Sequence, residues 1–407
     1  MKTDGSRGTV VFIVVIVVLD VMAGTMVFPV LPKLIATVSP GDTARTAEIF
    51  GLLGTLFAVM QFGASPVQGA LSDRFGRRPI ILTSCFGLAI DFIIMALAPN
   101  LVWLFVGRIV SGIFAGSMIA ANAYLVDVTP QERRSQMFGY LFAAMGFGMA
   151  IGPAFGGWLA AIGLRAPFWV AAGLCFANAL YGLFFLPESL APDKRSKIAI
   201  GTLNPFGALA GLWRLYPRLV SWSLVTLAAA LGGTGVNVLF VIYTSYRYGW
   251  APHDVGMLLT VYGVGAIGVQ MGLLPLLLKR FSERTVMLLG YGAQVAAVVW
   301  AGLAPSGSMY CASMALLCSG VVAGPTQSAI ISRLVGGSDQ GKLAGATRSL
   351  YNVPAIIAPS LFSFVFAEAI VRGGKPLSGV PFLIAGALMA FAGAMAARNT
   401  RGIPATG

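Results

Sequence analysis

The chain has 407 residues, of which 57% are hydrophobic and only 10% charged, with a formal net charge of +13. A soluble globular chain is about a quarter charged, and no water-soluble fold could hide this much apolar surface, so the bilayer has to be the solvent. Spans of about 20 apolar residues each, twelve of them joined by short loops, nearly fill the length and exclude a large soluble domain.

Taken in order, the apolar runs predict spans at roughly 9–36, 47–71, 79–98, 101–126, 136–163, 165–187, 218–245, 253–278, 284–304, 308–334, 340–371 and 378–398. The first run is too long for a signal-peptide core and is not followed by a small-residue cleavage site, so it reads as a span and not a removed leader. The longest connection, about 188–217, carries Glu188, Asp193, Lys194, Arg195 and Lys197. It separates an N-terminal six-helix half (1–190) from a C-terminal one (218–407), with 191–217 as a cytoplasmic central loop.

The basic residues set the orientation. Twenty Lys and Arg fall in the termini and loops of one side. Six fall on the other: Lys33, Arg45, Arg165, Arg247, Arg372 and Lys375. That bias predicts both termini in the cytoplasm and a multi-pass protein of the inner or plasma membrane, and it accounts for the positive charge without nucleic acid. Cys85, Cys175, Cys311 and Cys318 all lie in apolar runs, so no disulfide framework is expected.

The halves repeat. Leu71–Leu82 aligns with Leu277–Leu288 at an offset of 206, Ser111–Gly116 with Ser319–Gly324 at 208, and Pro153 with Pro359 at 206. Parallel six-span halves are a transporter architecture, with the substrate expected between them near the midplane.

A charge at the bilayer centre costs about 2.5–3.5 kcal/mol on insertion scales, so the few charges inside spans need a purpose. Asp20 lies midway along span 1, Asp91 past the middle of span 3, and Arg108 within span 4. Apolar surroundings favour the neutral form of a carboxyl. Asp20 and Asp91 are therefore candidate proton carriers, and Arg108 the residue that would tune one of them. The competing readings are a structural ion pair for either aspartate and a snorkelling side chain for Arg108. Gln61, Asn122, Asn237, Gln270, Gln294, Gln327 and Asn352 are neutral polar residues within spans, able either to bind substrate or to join helices.

Two motifs accompany these charges. In the 2–3 loop, Gly69-Ala-Leu-Ser-Asp73-Arg74-Phe-Gly76-Arg77-Arg78 packs arginines around one aspartate, with glycines that would permit a tight turn. Asp127, at the cytoplasmic end of span 4, is expected to pair with this cluster. In span 5, Gly148, Gly152 and Gly156 share one helix face. With Pro153 and Gly157 they suggest a closely packed, bendable helix at the interface of the halves.

The 2–3 loop resembles the signature loop of the major facilitator superfamily. Leu104-Phe-Val-Gly-Arg108-Ile-Val-Ser-Gly112 resembles its fourth-span motif, and Gly146–Gly157 resembles the fifth-span motif of its antiporters. Leu19-Asp20, Phe28-Pro-Val-Leu-Pro32, Ile90-Asp91-Phe92 and Ala123-Tyr-Leu-Val-Asp127 resemble segments of the tetracycline–proton antiporters. The resemblance is dense over about residues 15–190 and thinner beyond. It implies an all-α membrane protein with the major facilitator fold, twelve helices in two pseudo-symmetric halves. It also implies a drug-type proton antiporter in which the 2–3 loop steadies a cytoplasmic gate.

The C-terminal half departs from that family. Gln294 stands where the tetracycline exporters carry an aspartate. Val261–Gln270 lacks their span 8 histidine, while Gln270 matches a glutamine of theirs. An uncharged, weakly basic or other amphipathic cargo therefore fits as well as a tetracycline–metal chelate.

A proton gradient would drive export of small amphipathic molecules, with protons, substrate and the bilayer as partners and a monomer expected. No cofactor or metal is implied. A proton-linked metabolite or lipid transporter, or a transport-inactive membrane sensor, are the alternatives. An enzyme is not expected: no nucleophile–base pair stands out, and the single histidine, His253, falls in an outer loop.

Overall fold

A computed structural model describes residues 4–195, 212–336 and 339–401, and among these all regular structure is helical. Lys2, Lys197 and the middle of the expected central loop lie outside the described residues.

Among the described residues, eleven helices are long and apolar enough to cross a membrane, and a bent pair taken as one span makes twelve. Span 1 is that pair, Asp4–Met26 and Leu31–Val38, bent by 47°. Pro29 and Pro32 flank the bend, and neither has an N–H to continue the helical ladder. Span 2 is Thr43–Phe75, span 3 Arg77–Leu97, span 5 Arg134–Ile162 and span 6 Ala166–Phe185. Span 4 is broken into Leu101–Phe114 and Ser117–Val128.

Span 7 is Arg218–Tyr248 and span 8 Pro252–Arg280. Span 8 widens to π geometry over Val269–Leu273, next to Pro275. Span 9 is Glu283–Leu303; span 10, Gly307–Ser332, tightens to a 3₁₀ turn at Gly320–Val322. Span 11 runs Gln340–Leu377, with Gly374 outside helical geometry at φ 61°, and span 12 is Val380–Asn399.

The described residues form two compact units that follow the two halves except for two exchanged segments. Asp42–Thr55 belongs with the second unit, and Ala251–Thr260 with the first. Local packing accounts for both. In the second unit the Thr55 hydroxyl donates to the Ile356 carbonyl of span 11 at 2.7 Å, and a Cβ on Gly51 would lie 2.5 Å from the Pro359 carbonyl oxygen. In the first unit, Gly157 leaves room for the Pro252 carbonyl, and Gly256 for that of Pro153.

Each unit has its own apolar core. One gathers Ile13, Ile16, Cys85, Ala121, Tyr124 and Leu141; the other Trp222, Met287, Tyr291, Ile331 and Ala392. Phe184 and Met271 are 74% and 77% exposed, which in water would be a liability and in lipid tails costs nothing.

The span 5 glycines divide: Gly157 faces Pro252 at the start of span 8, and the other three face span 1. Gly148, Gly152 and Gly156 lie against the span 1 backbone of their own unit, where added Cβ atoms would reach Val18 O, Met22 O and Met26 O respectively. Pro153 does not break the helix. Close approach of spans 1 and 5 fixes the region around Asp20.

Gly156→Ala should therefore destabilise the protein by about 1–3 kcal/mol, because the core there has no slack. Gly139→Ala, on the same helix with open space around it, should be neutral or mildly stabilising. Thermal unfolding of the two variants in detergent checks this contrast.

Candidate functional site

Asp20 sits six residues before the end of the first helix of span 1, on a chain segment that packs against spans 5 and 6. Its Oδ2 accepts a hydrogen bond from the Ser117 hydroxyl of span 4. Its Oδ1 is buried and has no protein partner, and no cation pairs with the carboxylate among the described residues. One turn earlier, the Asn178 amide of span 6 donates to the Ile16 carbonyl at 3.0 Å and approaches Cys85 Sγ at 3.7 Å. Asp20 is thus a carboxylate held by one neutral donor, with one oxygen left to accept a proton.

Asp91 is held otherwise. Its side chain is 0% exposed and its Oδ2 accepts from Arg108 at 3.0 Å. The arginine lies 5.8 Å over the Phe57 ring, and Gly107 leaves space for Asp91 Oδ1, which a Cβ there would approach to 2.8 Å. The structural ion pair weighed for Asp91 is the geometry found. Arg108 does not snorkel away from it.

The 2–3 loop forms a third arrangement. Arg77 donates to Asp127 Oδ2 at 3.0 Å, to Asp73 Oδ1 at 2.5 Å and to Ser72 Oγ at 3.2 Å, so one guanidinium joins spans 2 and 4. Asp127 also accepts from Ser189 Oγ at 3.1 Å, and Arg78 donates to the Leu183 carbonyl at 2.5 Å. Arg74 stacks 5.2 Å over the ring of Phe75. Only one of the two motif glycines makes a turn. Gly76 has φ 111°, a conformation nearly restricted to glycine, whereas Gly69 lies inside the continuous helix of span 2.

Sequence reasoning placed Glu188 in the central connection and gave it no further role. The structure gives it one. Its Oε1 accepts from the Arg77 N–H at 2.8 Å and from Ser189 and Leu190 N–H at 3.0 Å, while Oε2 accepts from Arg78 N–H at 3.3 Å. Span 3 begins at Arg77 after Gly76, which has no side chain to cap it. Of its first three residues, two give their N–H groups to Glu188 and the third, Pro79, has none. A carboxylate at a helix start answers both the orphan donors and the positive end of the dipole. Gly76 also leaves the room that Glu188 Oε2 occupies, since a Cβ there would overlap it.

The neutral polar candidates divide. Gln327 accepts from the Tyr291 hydroxyl and donates to Thr226 Oγ1 at 2.8 Å, tying spans 7, 9 and 10. Gln294 donates to the Gly320 carbonyl at 2.8 Å, where span 10 departs from α geometry. Asn122 bonds the Met118 carbonyl of its own helix. These three amides are engaged in helix joining or self-capping. Asn237 and Gln270 are exposed, Gln61 and Asn352 half-buried; their side chains remain available to a ligand.

The sequence matches the Major Facilitator Superfamily across residues 13–359. It is 34% identical to a class C tetracycline resistance protein of Escherichia coli over 94% of this chain and 95% of that protein. The chain belongs to the major facilitator superfamily.

It is also 25% identical to multidrug resistance protein 2 of Bacillus subtilis (strain 168), over 89% of this chain and 88% of that one. A solved bacterial homologue of the human lysosomal transporter Spinster shares the fold at a TM-score of 0.76 and 17% identity, covering 98% of both chains. Membership in this superfamily makes the protein a multi-pass membrane transporter and not an enzyme.

For a facilitator of this build the 2–3 loop is only as firm as its cap. Glu188→Gln keeps the shape but removes the charge, and should lower stability by about 1 kcal/mol. Glu188→Ala should cost more, because two helix N–H groups then lose their partner. Hydrogen exchange at the start of span 3 should rise in that order, with the span 9 amides unchanged.

Proposed function

We propose that the protein is a proton-coupled antiporter that exports small amphipathic compounds by alternating access, with Asp20 as the proton-carrying group. The observation that carries this reading is the contrast between the two intramembrane aspartates. Each has one buried oxygen without a hydrogen-bond partner, but the other oxygen of Asp91 meets the Arg108 cation, whereas that of Asp20 meets only the neutral Ser117 hydroxyl. A carboxylate left in that state in the interior of a membrane protein is functional by default, and the chemistry open to it is reversible protonation. Asp91 and Arg108 then serve as a fixed charge pair that holds span 3 to span 4.

Both termini are assigned to the cytoplasm of an inner or plasma membrane protein by the distribution of Lys and Arg. The proton gradient is the driving force, no cofactor takes part, and the protein works as a monomer. The 2–3 loop with Asp73, Arg77 and Asp127 is the cytoplasmic gate.

The relatives named above are tetracycline and multidrug resistance proteins. Two features of this chain favour an uncharged or weakly basic cargo over a tetracycline–metal chelate. Gln294 is a neutral amide already spent on the Gly320 carbonyl. His253, the single histidine, lies at the start of span 8 beside Asp254, at 3.6 Å. Gln61, Asn237, Gln270 and Asn352 are the polar side chains left to recognise such a cargo.

In proteoliposomes with an imposed pH gradient, the purified protein should couple uptake of amphipathic amines or dyes to counterflow of protons. Asp20→Asn should reduce coupled flux to background while the protein stays folded. Asp91→Asn should act on stability instead, costing about 3–5 kcal/mol through the stranded Arg108, and Arg108→Gln should restore part of that loss. Coupling that survives Asp20→Asn would remove Asp20 as the carrier, and no flux across a broad panel would favour a sensor.

A further inference from the structure

Span 4 stops and restarts beside Asp20. The helix Leu101–Phe114 ends, Ala115 leaves helical geometry at ψ 34°, and a 12-residue helix begins at Ser117 after Gly116 at φ −101° and ψ 0°. The break is built into the packing. Gln68 of span 2 donates its amide to the Ile113 carbonyl released there, and a Cβ on Gly116 would overlap the same amide group. Gly116 O in turn takes the N–H groups of Ile119 and Ala120 at 3.0 and 3.2 Å, which starts the second helix.

Ser117, the first residue of that helix and only 5% exposed, is the one whose hydroxyl reaches Asp20. An unbroken span 4 would carry position 117 at a different rotation and height. The break therefore does two things for Asp20: it supplies a hydroxyl, and it brings the positive end of a helix dipole to the carboxylate through that helix's first side chain. Among the described residues, the other titratable groups near Asp20 are the buried thiols of Cys85 on span 3 and Cys175 on span 6. The face of span 5 packed on span 1 is glycine, and no cation faces Asp20 among the described residues.

We propose that Ser117, set by the break in span 4, is the positioning residue for the coupling carboxylate: it stabilises the ionised form of Asp20 and leaves Oδ1 as the oxygen that takes the proton. This rests on the reading that Asp20 carries the proton. A hydroxyl bond to an ionised carboxylate is roughly twice as strong as one to its neutral acid. Proton binding to Oδ1 thus weakens the tie between span 1 and the second helix of span 4, and proton release restores it. The proton state is thereby linked to the relative positions of two spans within one unit.

The test needs no substrate. A hydrophobic carbodiimide modifies protonated carboxyls, and mass spectrometry of the purified full-length protein reads the modified fraction at Asp20 as a function of pH. In Ser117→Ala the midpoint should move to higher pH by about one unit, the size expected for losing a hydrogen bond to a charged group. Ser117→Thr, which keeps the hydroxyl, should return it towards the parent value, and both variants should elute as the parent does on size exclusion. A midpoint unmoved by Ser117→Ala overturns the proposal and leaves Asp20 as carrier. An Asp20 that is never modified, or modified equally at every pH, overturns the carrier reading and this proposal with it.

Discussion

A carboxylate in hydrocarbon costs several kcal/mol unless something answers its charge, and the first unit of this protein contains two. They are answered by different chemistry. Arg108 meets Asp91 with a full opposite charge at 3.0 Å. Ser117 meets Asp20 with a neutral hydroxyl, which suits the ion and the acid alike, only with different strength. In the proposed reading, that difference between a cation and a hydroxyl as partner separates a structural carboxylate from a titrating one.

Arg108 reaches Asp91 from the unbroken helix Leu101–Phe114, but the delivery of Ser117 depends on irregular backbone. Straight helices present side chains at fixed rotations, so a partner that falls on the wrong face has to be brought round by a break. Span 4 breaks at Ala115–Gly116 and turns Ser117 to Asp20. Span 10 tightens at Gly320–Val322, and Gln294 takes the Gly320 carbonyl. In both cases a side-chain amide, Gln68 or Gln294, occupies a backbone carbonyl at the irregular turn, because lipid offers no water to do so. The same accounting explains Glu188, which supplies from the end of span 6 the cap that Gly76 cannot give to span 3.

The scaffold was legible in the sequence because hydropathy reports directly on the solvent: apolar runs of span length mark helices that must cross. Asp20, Asp91, Arg108 and the 2–3 loop stood out for the same reason, as charges among few. What stayed hidden was partnership. Nothing in Ala115-Gly116-Ser117 marks a helix break, since Gly232-Gly233 lies inside the unbroken helix of span 7. Ser117 lies 97 residues from Asp20, and Glu188 lies 111 from Arg77. Gly69 and Gly76 look alike in the motif, yet only Gly76 takes a positive φ. The glycine face of span 5 could be read from its spacing, but its partner, span 1, could not. Asp20 and Asp91 read as equivalent carriers because a sequence shows that a charge is buried before it shows what it touches.

Infrared difference spectroscopy across a pH titration tests the distinction between the two aspartates most directly, since a protonated buried carboxyl has its own carbonyl band. The account predicts one titrating band from the membrane interior, absent in Asp20→Asn and retained in Asp91→Asn. A band that persists in Asp20→Asn and vanishes in Asp91→Asn would contradict it.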